Sequence, residues 1–215
     1  MKTENPKSKP DVLQFSTKDV EIVKEEPLFE GFFKMVKYVF RHRLYEGGWS
    51  KLIEREVFER ANAIAVLLYD PKLEEFVMVE QFRIGAMSNP YSPWLLEVVA
   101  GIIDAGETPE NVCRREAQEE AGVQVKQLTK ALSYLPSPGG TTERLHLFVG
   151  EVDARDAIGV HGLEHESEDI LVHRVKVADA MAWLEDGKID NSATIIVLQW
   201  FAMNKQKILD IWSNE

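Results

Sequence analysis

With one cysteine in 215 residues, the chain cannot close an intrachain disulfide, and such scarcity suits a reducing compartment, the cytoplasm. Cys113 falls among the apolar positions of a helical segment, where a small packed side chain is expected rather than a nucleophile. Long apolar runs are missing as well. Nothing approaches the roughly 20 residues a helix needs to cross a bilayer, and the opening MKTENPKSKP lacks the apolar stretch of a secretory signal. Cationic charge is in the minority: 25 Lys and Arg stand against 36 Asp and Glu, a net charge of −11. That balance argues against a nucleic-acid partner, because phosphate backbones are bound by clustered basic side chains. The short basic run Arg41-His42-Arg43 reads as a strand end. Internal repeats and low-complexity tracts are also missing, which excludes a solenoid.

What is present is ordinary globular material, 45% hydrophobic and 28% charged, at a length that suits one domain with a full core and room for a small appendage. The polar first ten residues read as a loose terminus. Residues 20–23, 31–45, 53–58, 63–69 and 76–84 alternate or run apolar with β-branched and aromatic types, as strands do. Turns are marked at Glu46-Gly47-Gly48 and Asp70-Pro71. A short apolar strand, 95–100, leads into residue 101. Further strands are expected at 128–135, 145–152 and 170–176, then helices at 177–184 and from 192 towards 212. This order predicts an α+β fold, a mixed sheet flanked by helices.

The most specific segment is GIIDAGETPENVCRREAQEEAGV, residues 101–123. Thr108 suits an N-cap, Pro109 the first helical position, Glu110 the positive end of the helix dipole, and Gly122 a left-handed stop. On that helix Glu116, Glu119 and Glu120 stand in an i, i+3, i+4 relation and share a face. Each like-charged pair costs roughly 0.2–0.5 kcal/mol. Arg115 offsets part of this through Glu119 or Glu107. A hard divalent cation would offset more, since Mg²⁺ takes carboxylate oxygens and substrate phosphates. Downstream, Ser137-Pro138-Gly139-Gly140-Thr141 is a turn by its chemistry, and residues 162–169 form an acidic loop.

The same segment fits G-x5-E-x7-R-E-U-x-E-E-x-G-U, with U aliphatic, at Gly101, Glu107, Arg115, Glu116, Ala117, Glu119, Glu120, Gly122 and Val123. The chain thereby resembles the Nudix hydrolases, which cleave nucleoside diphosphates linked to another moiety. Pro138, about fifteen residues past the motif, resembles the mark of the branch acting on ADP-ribose. The likeness to bacterial ADP-ribose pyrophosphatases extends through Phe32-Phe33, Arg55-Glu56, Arg60, Glu80-Gln81-Phe82-Arg83, Trp94-Leu95-Leu96-Glu97 and Ile189-Asp190-Asn191. It implies a Nudix α/β/α sandwich with a mixed sheet over 60–215. It also implies an N-terminal antiparallel β subdomain, 1–59, exchanged across a homodimer.

For the site, the resemblance implies two or three Mg²⁺ ions, with Mn²⁺ as a substitute, held by Glu116, Glu120 and the carbonyl of Ala100. Glu119 is a further ligand or an orienting group, and Glu168 a further metal contact. Glu166 aligns with the general base on a mobile loop, and Glu107 and Arg115 brace the motif. Substrate contacts fall to Phe32 and Phe33 at the adenine, Arg55, Glu56 and Arg60 at the nucleotide, and Ile102 and Glu143 at the terminal ribose. Arg83 would pair with a phosphate through its planar fork. The expected substrate is ADP-ribose, with other ADP-sugars as further candidates. The alternatives are preference for GDP-mannose or another nucleoside diphosphate sugar, and a non-catalytic ADP-ribose sensor. Intact motif carboxylates, and no room for a DNA-binding appendage, weigh against the sensor.

Overall fold

The computed structural model describes residues 12–214; the first ten residues, expected above to be loose, lie outside them. The chain divides into two compact units. One runs to Arg60 and takes in Ser137–Thr142; the other comprises Ala61–Pro136 and Glu143–Glu215.

The first unit is a 3-stranded antiparallel meander of β1 (Val20–Glu30), β2 (Lys34–His42) and β3 (Ile53–Glu59). The β2–β3 connection turns through Gly47 and Gly48, both at positive φ, a conformation that costs glycine nothing. β1 runs further than the expected 20–23, because the charged stretch Lys24-Glu25-Glu26 lies on an exposed edge strand where no alternation is imposed. Its Pro27 sits beside a register shift, a position an edge strand tolerates. Conversely, residues 31–33 are the turn between β1 and β2 rather than strand. Loop 137–142 joins this unit: Phe58 N–H donates to Gly140 O (2.8 Å), and Arg60 N–H to Thr142 Oγ1 (2.9 Å).

The second unit is built on an 8-stranded sheet. Its path is β10 (Val160–His161), β11 (Ile170–Lys176), β5 (Glu75–Phe82), β4 (Ala63–Asp70), β9 (Leu145–Glu151) and β8 (Leu128–Tyr134). β4 and β9 are parallel and the other pairs antiparallel, so the sheet is mixed. Every residue of β4 is buried, which requires cover on both faces. One face packs α1 (Pro109–Ala121) through Val112, Cys113 and Ala117 onto Ile64, Val66, Val79 and Phe148. The other packs α2 (Val177–Glu185) and α3 (Ser192–Trp212) onto Leu67, Tyr69, Met78 and Leu147. There Phe201 meets Tyr69 and Phe76 edge-on at 4.8 and 5.0 Å, a geometry worth ~0.5–1.5 kcal/mol per pair beyond burial. The layers are therefore α/β/α. Among the described residues, no helix is long and apolar enough to cross a membrane.

Two differences from the sequence reading bear on the site. The strand expected at 95–100 is two strands, β6 (Trp94–Glu97) paired with β5 and β7 (Val99–Ile102) paired with β4. Val98 is the break. The strand expected to reach residue 84 stops at Phe82, and Arg83 leads into a 3₁₀ turn, Ile84–Ala86.

Candidate active site

Local chemistry sets the orientation of α1. Thr108 Oγ1 accepts from Asn111 N–H (3.3 Å), Pro109 opens the helix, and Gly122 ends it at φ 68°. A side chain at Gly122 would be strained, and its Cβ would also lie 2.5 Å from the His161 ring. With the apolar stripe fixed on the sheet, Glu116 and Glu120, one turn apart, face the start of the motif. Ala100 N–H donates to Glu120 Oε2 (3.2 Å). Glu116 lies flat on Gly101: a Cβ there would stand 1.9 Å from Oε1 and 2.5 Å from Cγ. The glycine is needed as empty space, since its φ is not positive.

Burial makes these carboxylates reluctant acids. Loss of solvent, the largest cause, pushes Glu120 up to about 8, with the charges of Glu116 and Glu168 adding to it. Glu116 is raised to about 7, again chiefly by burial, with Glu119 and Glu168 adding and Arg115 opposing. Arg115 ties the face together. Its Nη1 stands 2.8 Å from Glu116 Oε1 and 2.9 Å from Glu119 Oε2, and its Nε donates to Glu107 Oε1 (3.3 Å). Glu107 is held below the usual carboxylate range by Arg115 and by the Asp104 N–H. Glu119 is thus turned to Arg115, more exposed than Glu116.

The acidic loop is fastened to the end of α1. Gly162 N–H donates to Glu119 O (3.3 Å), and Leu163 N–H to Glu168 Oε2 (3.0 Å). Gly162 has φ 104°, and a Cβ there would meet Glu168 Cβ at 2.6 Å. The backbone of Glu166 closes a 3₁₀ turn, Glu164–Glu166, followed by Ser167 at φ 59°. Arg83 Nε donates to Glu97 Oε2 (2.9 Å), so its charge is paired and half-exposed rather than buried alone. Burial raises Glu97, against the pull of Arg83, and Arg83 also draws down Glu120.

Ala100, Glu116, Glu119, Glu120, Glu168 and Arg83 therefore gather around one end of α1. Ile102 is half-exposed on β7, on the opposite face from Gly101 by strand alternation, and Glu143 is buried. The remaining expected contacts belong to the N-terminal unit. There the Phe33 ring lies 4.7 Å from Phe32 and 4.9 Å from Phe58, with the Arg60 guanidinium 5.1 Å above it. Arg55 and Glu56 are exposed on β3, Arg55 donating to Glu54 O (2.7 Å). Sequence reasoning passed over Glu97 as a site residue. Its signal was an acid ending the apolar run Trp94-Leu95-Leu96.

A divalent cation fits this donor set. Among the described residues no three acidic or imidazole groups converge on one point as they stand, and Arg115 is the cation now touching Glu116. Yet Glu120 and Glu116, both raised chiefly by loss of solvent and further by neighbouring carboxylates, are hard oxygen donors lacking sufficient countercharge. The glycine cradle at 101 leaves Glu116 the room to serve.

A mixed sheet between helices, with a glycine-seated acidic helix on one face, defines this unit as a Nudix fold. The family model for the NUDIX domain matches residues 59–196, and the chain belongs to the Nudix family, whose hydrolases generally use divalent metal ions. An ADP-ribose pyrophosphatase of Escherichia coli (strain K12) is 50% identical over 207 residues, covering 95% of this chain and 99% of that one. One from Haemophilus influenzae is 48% identical, covering 94% of each. A GDP-mannose pyrophosphatase of Pectobacterium atrosepticum is 38% identical, covering 85% of this chain and 97% of its own. A crystal structure of an ADP compounds hydrolase matches with a TM-score of 0.68 at 19% identity, over 90% of this chain and 98% of that one. At that identity it speaks for the fold alone.

Proposed function

We propose that this protein is a cytoplasmic, Mg²⁺-dependent ADP-ribose pyrophosphatase that hydrolyses ADP-ribose to AMP and ribose 5-phosphate. The observation that carries the chemistry is the pair of buried Glu120 and part-buried Glu116, seated on Ala100 and Gly101. The substrate is supported by relatives of that activity at about half identity over nearly the whole chain.

Glu116, Glu120 and the Ala100 carbonyl would hold two or three Mg²⁺ ions, or Mn²⁺ in their place, with Glu168 a further contact and Glu119 a ligand or orienting group. When bound, the ions neutralise the pyrophosphate and orient an in-line displacement. The protein's own groups do the rest. Arg83 pairs with a phosphate oxygen, kept in its plane by Glu97. Glu166 accepts the proton of the attacking water as a new P–O bond forms and the bridging P–O bond breaks. Arg115 and Glu107 brace the helix. Ile102 and Glu143 border the terminal ribose. The N-terminal unit is exchanged in a homodimer, bringing Phe32 and Phe33 to the adenine and Arg55, Glu56 and Arg60 to the nucleotide. Other ADP-sugars are secondary substrates.

Two tests follow directly. Glu166→Gln should lower kcat by about 10²–10⁴-fold, the range of one general base, with KM little changed; a large rise in KM at unchanged kcat would make Glu166 a binding residue. Light scattering should find a dimer at assay concentrations. A fully active monomer would rule out exchange of Phe32 and Phe33.

A further inference from the structure

The crossing at Val98 depends on α3, which lies on the opposite face of the sheet from the acidic helix. β4 and β5 pair directly only from Leu68↔Val77 to Asp70↔Glu75. Beyond that they diverge, and residues 94–102 fill the wedge. The first half bonds to β5, up to Glu97↔Val79, and the second to β4, from Val99↔Val66 onward. Val98 falls between the two ladders and is 2% exposed, so its N–H needs a partner from elsewhere. Thr194 supplies it: Val98 N–H donates to Thr194 Oγ1 (3.1 Å), and Thr194 is wholly buried. Asn191 makes a second link with the same amide that caps α3. Its Oδ1 accepts from Thr194 N–H (3.1 Å), while its Nδ2 donates to Leu96 O (3.0 Å).

Each side of this crossing carries part of the site. One residue before Val98, Glu97 holds Arg83; two and three residues after it, Ala100 and Gly101 seat Glu120 and Glu116. We propose that Asn191 and Thr194 are positioning residues that pin the crossing at Val98. They thereby set the spacing between the Arg83–Glu97 pair and the Glu116–Glu120 carboxylates. The proposal rests on reading those four groups as the reaction site. Both residues act through the strand backbone, from the face of the sheet that carries α3.

Three variants test it. Thr194→Val keeps the branched shape and removes the acceptor. Thr194→Ser keeps the hydroxyl. Asn191→Asp keeps a good helix cap but loses the Nδ2 donor to Leu96. Mn²⁺ affinity by titration calorimetry, kcat and KM for ADP-ribose, and Tm are measured on each. Thr194→Val and Asn191→Asp should each weaken Mn²⁺ binding and lower kcat by about tenfold, the low end for groups that orient ligands from behind. KM should stay near wild type, and Thr194→Ser should restore both quantities. If Thr194→Val does not fold, Asn191→Asp carries the comparison. Variants with a lowered Tm but wild-type kcat and Mn²⁺ affinity overturn the proposal. A wild type that binds Mn²⁺ yet leaves ADP-ribose intact overturns the substrate reading alone, and the affinities still decide the positioning role.

Discussion

Glu120→Gln should lose about 10²–10³-fold in kcat on ADP-ribose, the loss typical when one preorganised electrostatic group is removed, while keeping its fold. The neutral amide fills the same space beside Ala100 but offers a cation no charge. The same substitution has an opposite effect on stability. Glu120 and Glu116 are raised to about 8 and about 7, so the folded chain holds these protons more tightly than the unfolded chain. The stability linked to them is complete below the ordinary carboxylate range and is lost as pH rises through 7 to 8. Metal-free Glu120→Gln should therefore melt with wild type near about pH 5. Near about pH 9 it should exceed wild type by ~2–4 °C for each kcal/mol of relieved repulsion. Mg²⁺ should raise the wild-type Tm and narrow that gap. Near-normal turnover by Glu120→Gln would sink the metal role of this carboxylate.

Gly101→Ala should cost about 10²-fold in kcat/KM, the scale of an ångström-sized misplacement. The new methyl group would stand 1.9 Å from Glu116 Oε1 and 2.3 Å from its Cδ, so the carboxylate must swing off the strand. The backbone gives no reason for loss, because Gly101 has no positive φ, and alanine is otherwise at home there. Tm should change little, since the displaced group is a side-chain end that gains solvent on leaving. Circular dichroism and thermal melts beside the kinetics separate the outcomes. Full activity would mean that Glu116 need not lie where it does; an unfolded variant would mean the cradle is structural first.

Why some of this was legible in sequence and some was not follows from the kind of signal involved. The cap Thr108, Pro109 at N1 and the stop at Gly122 are local chemistry, and α1 begins and ends where they say. The helices expected at 177–184 and from 192 towards 212 likewise form, as α2 and α3. The split at Val98 was not, because 94–102 is apolar on both sides of the break. It is the divergence of β4 from β5, far away in sequence, that divides it. Nor does the i, i+3, i+4 pattern reveal how the three carboxylates differ. Glu120 is buried against Ala100, Glu116 lies on Gly101, and Glu119 faces Arg115, because packing sets the rotation of the helix about its axis. Thr194 sits in the apolar run Ala193–Val197, where its hydroxyl gave no hint of a strand partner 96 residues earlier.

The most direct test of the central claim is hydrolysis of ADP-ribose beside GDP-mannose, with Mg²⁺ and with chelator, followed as release of AMP or GMP. Rapid AMP release that needs Mg²⁺ and is abolished by chelator, with GDP-mannose a poor substrate, is the predicted result. Activity on GDP-mannose alone would keep the chemistry of Glu116 and Glu120 and overturn the substrate. Binding of ADP-ribose with no turnover of either compound would contradict the enzyme itself.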